Sequence, residues 1–196
     1  MSYVSIIVTY ALINNFILVQ LLGLCPFIGV SKSAESAAGM GFAVVFVSSI
    51  AALAAWAVQH AILEPLGLGY LQTLAFILVI AGVVQLLEIL IHKISPALYK
   101  ALGIYLPLVT TNCMVLGVAL IAVRADYNAL ESFVAGAAAG AGFMLVMALM
   151  AGIREQLDKE WIPRPFRGTP IAFITAGLMA LAFMAFDRAL LKNLIG

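Results

Sequence analysis

The chain has 196 residues, of which 65% are hydrophobic and 10% charged, and its mean hydropathy is +1.15. Soluble domains carry about 25% charged residues, so this chain cannot clothe a globular core in polar groups and its outer surface must face lipid. A formal net charge of +1 gives no basis for a nucleic-acid partner, and two cysteines are too few for a disulfide framework.

Six apolar runs follow one another: Val4–Leu22, Ala37–Val58, Leu71–Ile91, Leu102–Val123, Phe133–Ile153 and Ile171–Leu190. Each is close to the roughly 20 residues that cross a bilayer. The pattern predicts an all-α integral membrane protein of six transmembrane helices, one membrane domain over residues 1–196, with no room for a separate catalytic domain. The first run has no Lys or Arg before it and no small-x-small pattern after it, so it is read as a retained helix and not as a signal peptide. Turn chemistry separates the runs at Cys25-Pro26, Glu64-Pro65 with Gly67 and Gly69, Ser95-Pro96, Asp126 to Asn128, and Pro163 to Pro170.

Seven of the ten cations, Lys32, Lys93, Lys100, Arg154, Lys159, Arg164 and Arg167, fall after the first, third and fifth runs. Arg124, Arg188 and Lys192 fall on the other side. The positive-inside rule then places the first group in the cytoplasm and both termini outside.

The two halves resemble each other. Ala37-Ala38-Gly39-Met40-Gly41-Phe42 matches Ala138-Ala139-Gly140-Ala141-Gly142-Phe143, Ala75-Phe76-Ile77 matches Ala172-Phe173-Ile174, and Asn14-Asn15 sits in run one as Thr111-Asn112 does in run four. The order is kept at a nearly constant offset. Three spans cross the membrane an odd number of times, so the second copy, about 96–196, is inverted relative to the first, about 1–95.

Polar side chains in hydrocarbon need partners. For any one of Asn14, Asn15, Thr111 and Asn112 interhelical hydrogen bonding is the favoured role, and their equivalent places in the two halves raise a second, relief of the free backbone groups of interrupted helices. Glu88 with Gln85 near the end of run three reads as an interfacial group beside His92 and Lys93, or as an ion-pathway carboxylate. Asp187 reads as a partner of Arg188 or a headgroup contact. The small-residue stretch Gly136-Ala137-Ala138-Ala139-Gly140 fits GxxxG and predicts close helix packing, within the chain or between subunits. The stretch 154–170 is a positive-inside anchor or a docking loop.

Taken alone, Cys25 and Cys113 are small hydrophobes. A second alignment pairs them: Cys25-Pro26-Phe27-Ile28-Gly29-Val30 with Cys113-Met114-Val115-Leu116-Gly117-Val118. This alignment conflicts with the first. If run one is a continuous helix centred on Asn14, Cys25 lies about 16 Å further on, at the membrane edge, while Cys113 lies near the centre. The two approach each other only if a helix breaks, and Gly23 and Pro26 are the expected breakers. Helices one and four are therefore expected to be irregular.

At Leu22-Gly23-Leu24-Cys25-Pro26-Phe27 and Leu108-Val109-Thr110-Thr111-Asn112-Cys113 the sequence resembles the A-subunit family of the Rnf (Rsx) electron-transport complex. It is similar, less closely, to the E subunit of the sodium-translocating NADH:quinone oxidoreductase. Val30-Ser31-Lys32, Thr73-Leu74-Ala75-Phe76, Leu102-Gly103-Ile104, Pro165-Phe166-Arg167-Gly168 and Ile174-Thr175-Ala176-Gly177 extend the likeness nearly end to end. The resemblance implies a bacterial inner-membrane subunit of a complex that couples electron transfer between ferredoxin and NAD to Na⁺ or H⁺ movement, with no activity from the chain alone. It further implies that Cys25 and Cys113 are two of the four thiolates of a [2Fe-2S] cluster shared with the E subunit, and that the B, C, D and G subunits are the other partners. Two readings of other classes stand beside it, a small inverted-repeat permease and a structural scaffold with inert cysteines. Solute uptake by the chain alone would mark the permease; absence of iron from the complex would mark the scaffold.

Overall fold

The computed structural model describes residues 3–31, 33–67, 69–94, 108–109, 111–157 and 162–194. Lys32, Ser95-Pro96, Lys100, residues 102–107, Thr110 and Lys159 lie outside these, as do the side chains of Glu88, His92, Arg164, Asp187 and Arg188, so the expectations placed on them have no structural counterpart. All regular structure among the described residues is helical.

The first run starts as α1, Tyr3–Val8, which loosens into a π-helical turn over Thr9–Ile13 and then stops. An irregular segment follows, and α2, Leu24–Val30, resumes the helical path. α3, Ala34–Val58, begins on Ser33, whose hydroxyl accepts from the Ser36 N–H. Its path continues through a second π-helical turn, Gln59–Leu63, and one last turn ending at Gly67, where φ is +63°. The Glu64-Pro65 turn expected from sequence is therefore helical, the last turn of this path before Gly67.

α4 spans Gln72–Ile94, α5 spans Cys113–Arg124 and α6 spans Ala129–Leu157. α6 opens with one half of a capping box: the Glu131 carboxylate accepts from the Asn128 N–H, 3.0 Å. α7, Thr169–Leu194, follows a short turn at Arg164–Phe166. Among the described residues, the stretches Ala34–Leu63, Gly69–Leu86 and Ala129–Leu157 are long and apolar enough to cross a membrane, and Tyr3–Ile13, Cys113–Arg124 and Thr169–Met184 are shorter apolar helices. Each of the six apolar runs overlaps one of these.

The centre of the molecule is the α3–α6 pair, around which α1, α4 and α5 pack. The pair is antiparallel: Gly41 meets Met144, Val45 meets Gly140, Ser48 meets Gly136, and the Ala34 N–H reaches the Glu155 carboxylate. Small residues make this possible. A Cβ added at Gly136 would lie 2.5 Å from the Ser48 carbonyl oxygen, and one at Gly140 would lie 2.5 Å from the Val45 Cα. The Ser48 hydroxyl donates to the Gly136 carbonyl at 2.8 Å, which ties the two backbones together. The GxxxG stretch thus serves packing within the chain. Large apolar side chains on the outside, among them Phe42, Phe46, Leu78 and Leu178, are exposed, as expected of a surface that faces lipid or neighbouring proteins of a complex.

Candidate functional site

Backbone groups left free inside a membrane must find partners within the protein, and the interrupted first run shows how this chain supplies them. Asn15, 1% exposed, accepts from the Ile17 N–H through Oδ1 (3.0 Å) and donates through Nδ2 to the carbonyls of Gly142 (3.1 Å) and Ala11 (3.3 Å). Gly142 has no side chain to obstruct the bond, and a Cβ there would lie 2.8 Å from the Ala11 carbonyl oxygen. Asn14 accepts from Gln20 Nε2 at 3.1 Å. The Leu22 N–H turns back to the Phe16 carbonyl at 2.8 Å, and Phe16, Ile17 and Leu18 are buried. Leu21, at φ +57°, and Gly23, at φ +84°, swing the chain into α2.

Replacing Asn15 by alanine removes all three side-chain bonds. At about 0.5–1.5 kcal/mol each, the expected loss of thermal stability in detergent is about 2–4 kcal/mol. Asn14→Ala removes the bond from Gln20 at a half-buried position, and costs less than about 1.5 kcal/mol by the same reckoning.

A similar side-chain bond stands at the start of α5. Asn112 caps α5, its Oδ1 accepting from the Met114 N–H at 3.1 Å, as Asn15 accepts from Ile17. Asn112 is buried, and its Nδ2 has no partner among the described residues. The asparagines pair at one offset and the cysteines at another nine residues shorter, because Cys25 follows Asn15 by ten positions whereas Cys113 follows Asn112 directly. The extra nine residues are the loop of the first break.

The breaks touch. A Cβ on Gly23 would lie 2.9 Å from Asn112 Oδ1 and 3.4 Å from the Met114 Cβ, and one on Gly117 would lie 2.7 Å from Leu22 Cδ1. Cys25 stands two residues after Gly23, in the first turn of α2, and Cys113 is the first residue of α5. Both thiols are free and exposed on the surface of this chain. Pro26 sits in the first turn of α2 and so starts that helix; the break itself lies upstream, at 14–23, which corrects the expectation that Pro26 interrupts the helix. Thr111 is exposed, and its carbonyl lies 4.0 Å from Cys113 Sγ. No group of three or more His, Cys, Asp or Glu side chains is gathered among the described residues.

Sequence reasoning missed the residue that holds the far end of α2. Arg154 Nη1 donates to the Ile28 carbonyl at 2.8 Å and to the buried Ser31 hydroxyl at 3.0 Å. A seven-residue helix is not stable alone, so this cation at its carbonyl end positions the element that carries Cys25. The positive-inside count used up the signal that Arg154 offered. Arg154→Ala is expected to lower stability by about 1.5–3 kcal/mol, the range for hydrogen bonds to a charged group. Amide exchange over 24–30 should speed up more than elsewhere, and Arg154→Lys should recover part of the loss. The buried Tyr10–Tyr127 hydroxyl contact, 3.3 Å, was also not anticipated.

Among the described residues these features define an all-helical membrane protein in which the starts of α2 and α5 meet and each carries one free thiol. A family model described as "Rnf-Nqr subunit, membrane protein" matches residues 3–190, and the chain belongs to that family. It is 54% identical over 187 residues to the A subunit of the Na(+)-translocating ferredoxin:NAD(+) oxidoreductase complex of Acetobacterium woodii, covering 95% of this chain and 97% of that one. It is 59% identical over 185 residues to the A subunits of the ion-translocating oxidoreductase complexes of Serratia proteamaculans and Yersinia enterocolitica, in each case covering 94% of this chain and 96% of the relative. The resemblance carried by the sequence motifs is thereby established at the level of the family.

Proposed function

We propose that the chain is the A-type membrane subunit of an ion-translocating ferredoxin:NAD oxidoreductase complex of the bacterial cytoplasmic membrane, and that Cys25 and Cys113 supply half of an intramembrane [2Fe-2S] cluster. The relatives' names support the complex. The observation that carries the cluster reading is the meeting of the two breaks, which brings two exposed, unbridged cysteines to adjoining helix starts. A [2Fe-2S] cluster takes four thiolates, and this chain has two cysteines. The donor set fits half a cluster, and the exposure of both thiols leaves them open to a partner that brings the other half. An E-type subunit of opposite topology suits that role, and B, C, D and G subunits complete the complex.

The chain's own residues have defined tasks in this reading. Cys25 and Cys113 hold the group. Asn15 and Asn112 satisfy the backbone at the breaks so that both thiols stay in place. Asn14 and Thr111 flank them. The partial positive charge at the N-terminal end of α5 lies beside Cys113 and suits an anionic group there. Buried Phe16, Ile17 and Leu18 keep water from the break. Such a cluster, when bound, carries one electron at a time between cofactors of neighbouring subunits.

The topology that goes with this reading is six spans in two inverted sets of three, about 1–95 and 96–196, with both termini outside. The antiparallel α3–α6 pair and the matched bonds of Asn15 and Asn112, each accepting from the N–H two residues on, support it. Iron and acid-labile sulfide analysis of the purified complex tests the proposal. Cys25→Ser and Cys113→Ser should each remove about two irons per complex, the content of one such cluster; unchanged iron in both variants would refute it.

A further inference from the structure

A cleft lies between the end of α6 and the start of α7, lined by Arg154, Leu157, Ile162, Arg167, Gly168 and Ile171. Two guanidinium groups thus border one small space at the membrane face that carries most of the cations. Arg154 commits Nη1 to Ile28 and Ser31, which fixes its position at the cleft wall. Arg167 is exposed and forms no hydrogen bond or ion pair among the described residues. Gly168, at φ +90°, turns the chain so that α7 begins beside Arg167. The first turn of a helix has N–H groups without intrahelical partners and a partial positive charge, so it adds to the same field. Arginine pairs suit phosphate because the planar fork can take two oxygens at once.

The cleft is continuous with an apolar strip. Ile171, Ile174 and Leu178 recur at i, i+3 and i+7 and so share one face of α7. Ile171 lines the cleft, while Ile174 and Leu178 are 45% and 63% exposed further along the helix. Leu149 and Ile153 give α6 a similar exposed apolar flank. A free phosphate would use only the charged end of this arrangement, whereas a phospholipid uses both ends.

We propose that this cleft binds the phosphate of an anionic phospholipid, with Arg154 and Arg167 as its cationic walls and an acyl chain lying along Ile174 and Leu178. The site is separate from the two cysteines and does not depend on the cluster.

Retained lipid in the complex purified in mild detergent tests the site, with phosphatidylglycerol and cardiolipin quantified per protein by mass spectrometry. Arg167→Gln is the informative variant, since Arg154 also holds α2. One cation at an anionic lipid surface contributes about a fivefold change in affinity, so Arg167→Gln should retain about fivefold less anionic lipid, with unchanged content in Arg124→Gln at the opposite end of the chain's helices. After delipidation, phosphatidylglycerol should raise the Tm of the wild type more than that of Arg167→Gln, and phosphatidylcholine or inorganic phosphate should raise neither. Equal retention by wild type and Arg167→Gln overturns the site. A Tm rise with inorganic phosphate equal to that with phosphatidylglycerol overturns the lipid as its occupant.

Discussion

Cys25→Ser and Cys113→Ser are each expected to stop ferredoxin-linked reduction of NAD by the assembled complex while leaving the chain folded and inserted. Serine keeps the size and the backbone of cysteine but is a poor ligand for iron, so the substitution removes the donor and little else. Both positions are exposed on this chain, and neither side chain belongs to the buried core. Exposed substitutions of this kind change stability by about 0.5 kcal/mol or less. The prediction is therefore a separation of two readouts: electron flow falls to the background of membranes without the complex, and the melting curve of the chain stays in place. Normal flow in both variants would leave the thiols as inert small side chains and would return weight to the scaffold reading.

The second large effect concerns folding. Gly136→Val should prevent stable insertion or lower stability well beyond the roughly 1–3 kcal/mol of ordinary overpacking. The reason is that its Cβ would fall 2.5 Å from the Ser48 carbonyl oxygen and 2.9 Å from the Ser49 Cα. These are backbone atoms of α3, which cannot rotate away as a side-chain tip can. Relief requires α3 and α6 to separate, which would also break the Ser48–Gly136 hydrogen bond. Gly152→Ala is the control on the same helix. Nothing lies within 4 Å of a Cβ there, and alanine is favoured over glycine in a helix by about 1 kcal/mol. Opposite signs at the two glycines, read by thermal unfolding in detergent, are expected; equal and small effects would show that the α3–α6 contact does not hold the bundle.

The apolar runs were legible because spanning helices are long and uniformly apolar, and each run overlaps a helix among the described residues. The ends were less legible. α6 runs from Ala129 to Leu157, beyond the expected Phe133–Ile153, because the half capping box at Asn128 and Glu131 and the polar end at Arg154 are helical without being apolar. The first break was legible as a conflict between two alignments, one matching asparagines and one matching cysteines. Its start was not, since Gly23 marks only the far end of a segment that begins at Asn14, and Pro26 lies beyond it in α2. Pro26 starts α2 because the first turn of a helix needs no N–H from it. What the sequence could not convey is contact across the fold. Nothing in one line of residues shows that Asn15 reaches Gly142, that Gly23 lies on Asn112, or that Arg154 grips Ile28 and Ser31. These contacts join positions more than 85 residues apart, and all of them bear on the segments that carry the cysteines.

The most direct measurement is the EPR spectrum of the dithionite-reduced complex, recorded for the wild type and for Cys25→Ser and Cys113→Ser after equal assembly is verified. Thiols that hold half of a shared cluster predict a reduced [2Fe-2S] signal in the wild type that is absent from both variants, with signals from clusters elsewhere in the complex unchanged. A [2Fe-2S] signal of wild-type shape and intensity in both variants would contradict that assignment.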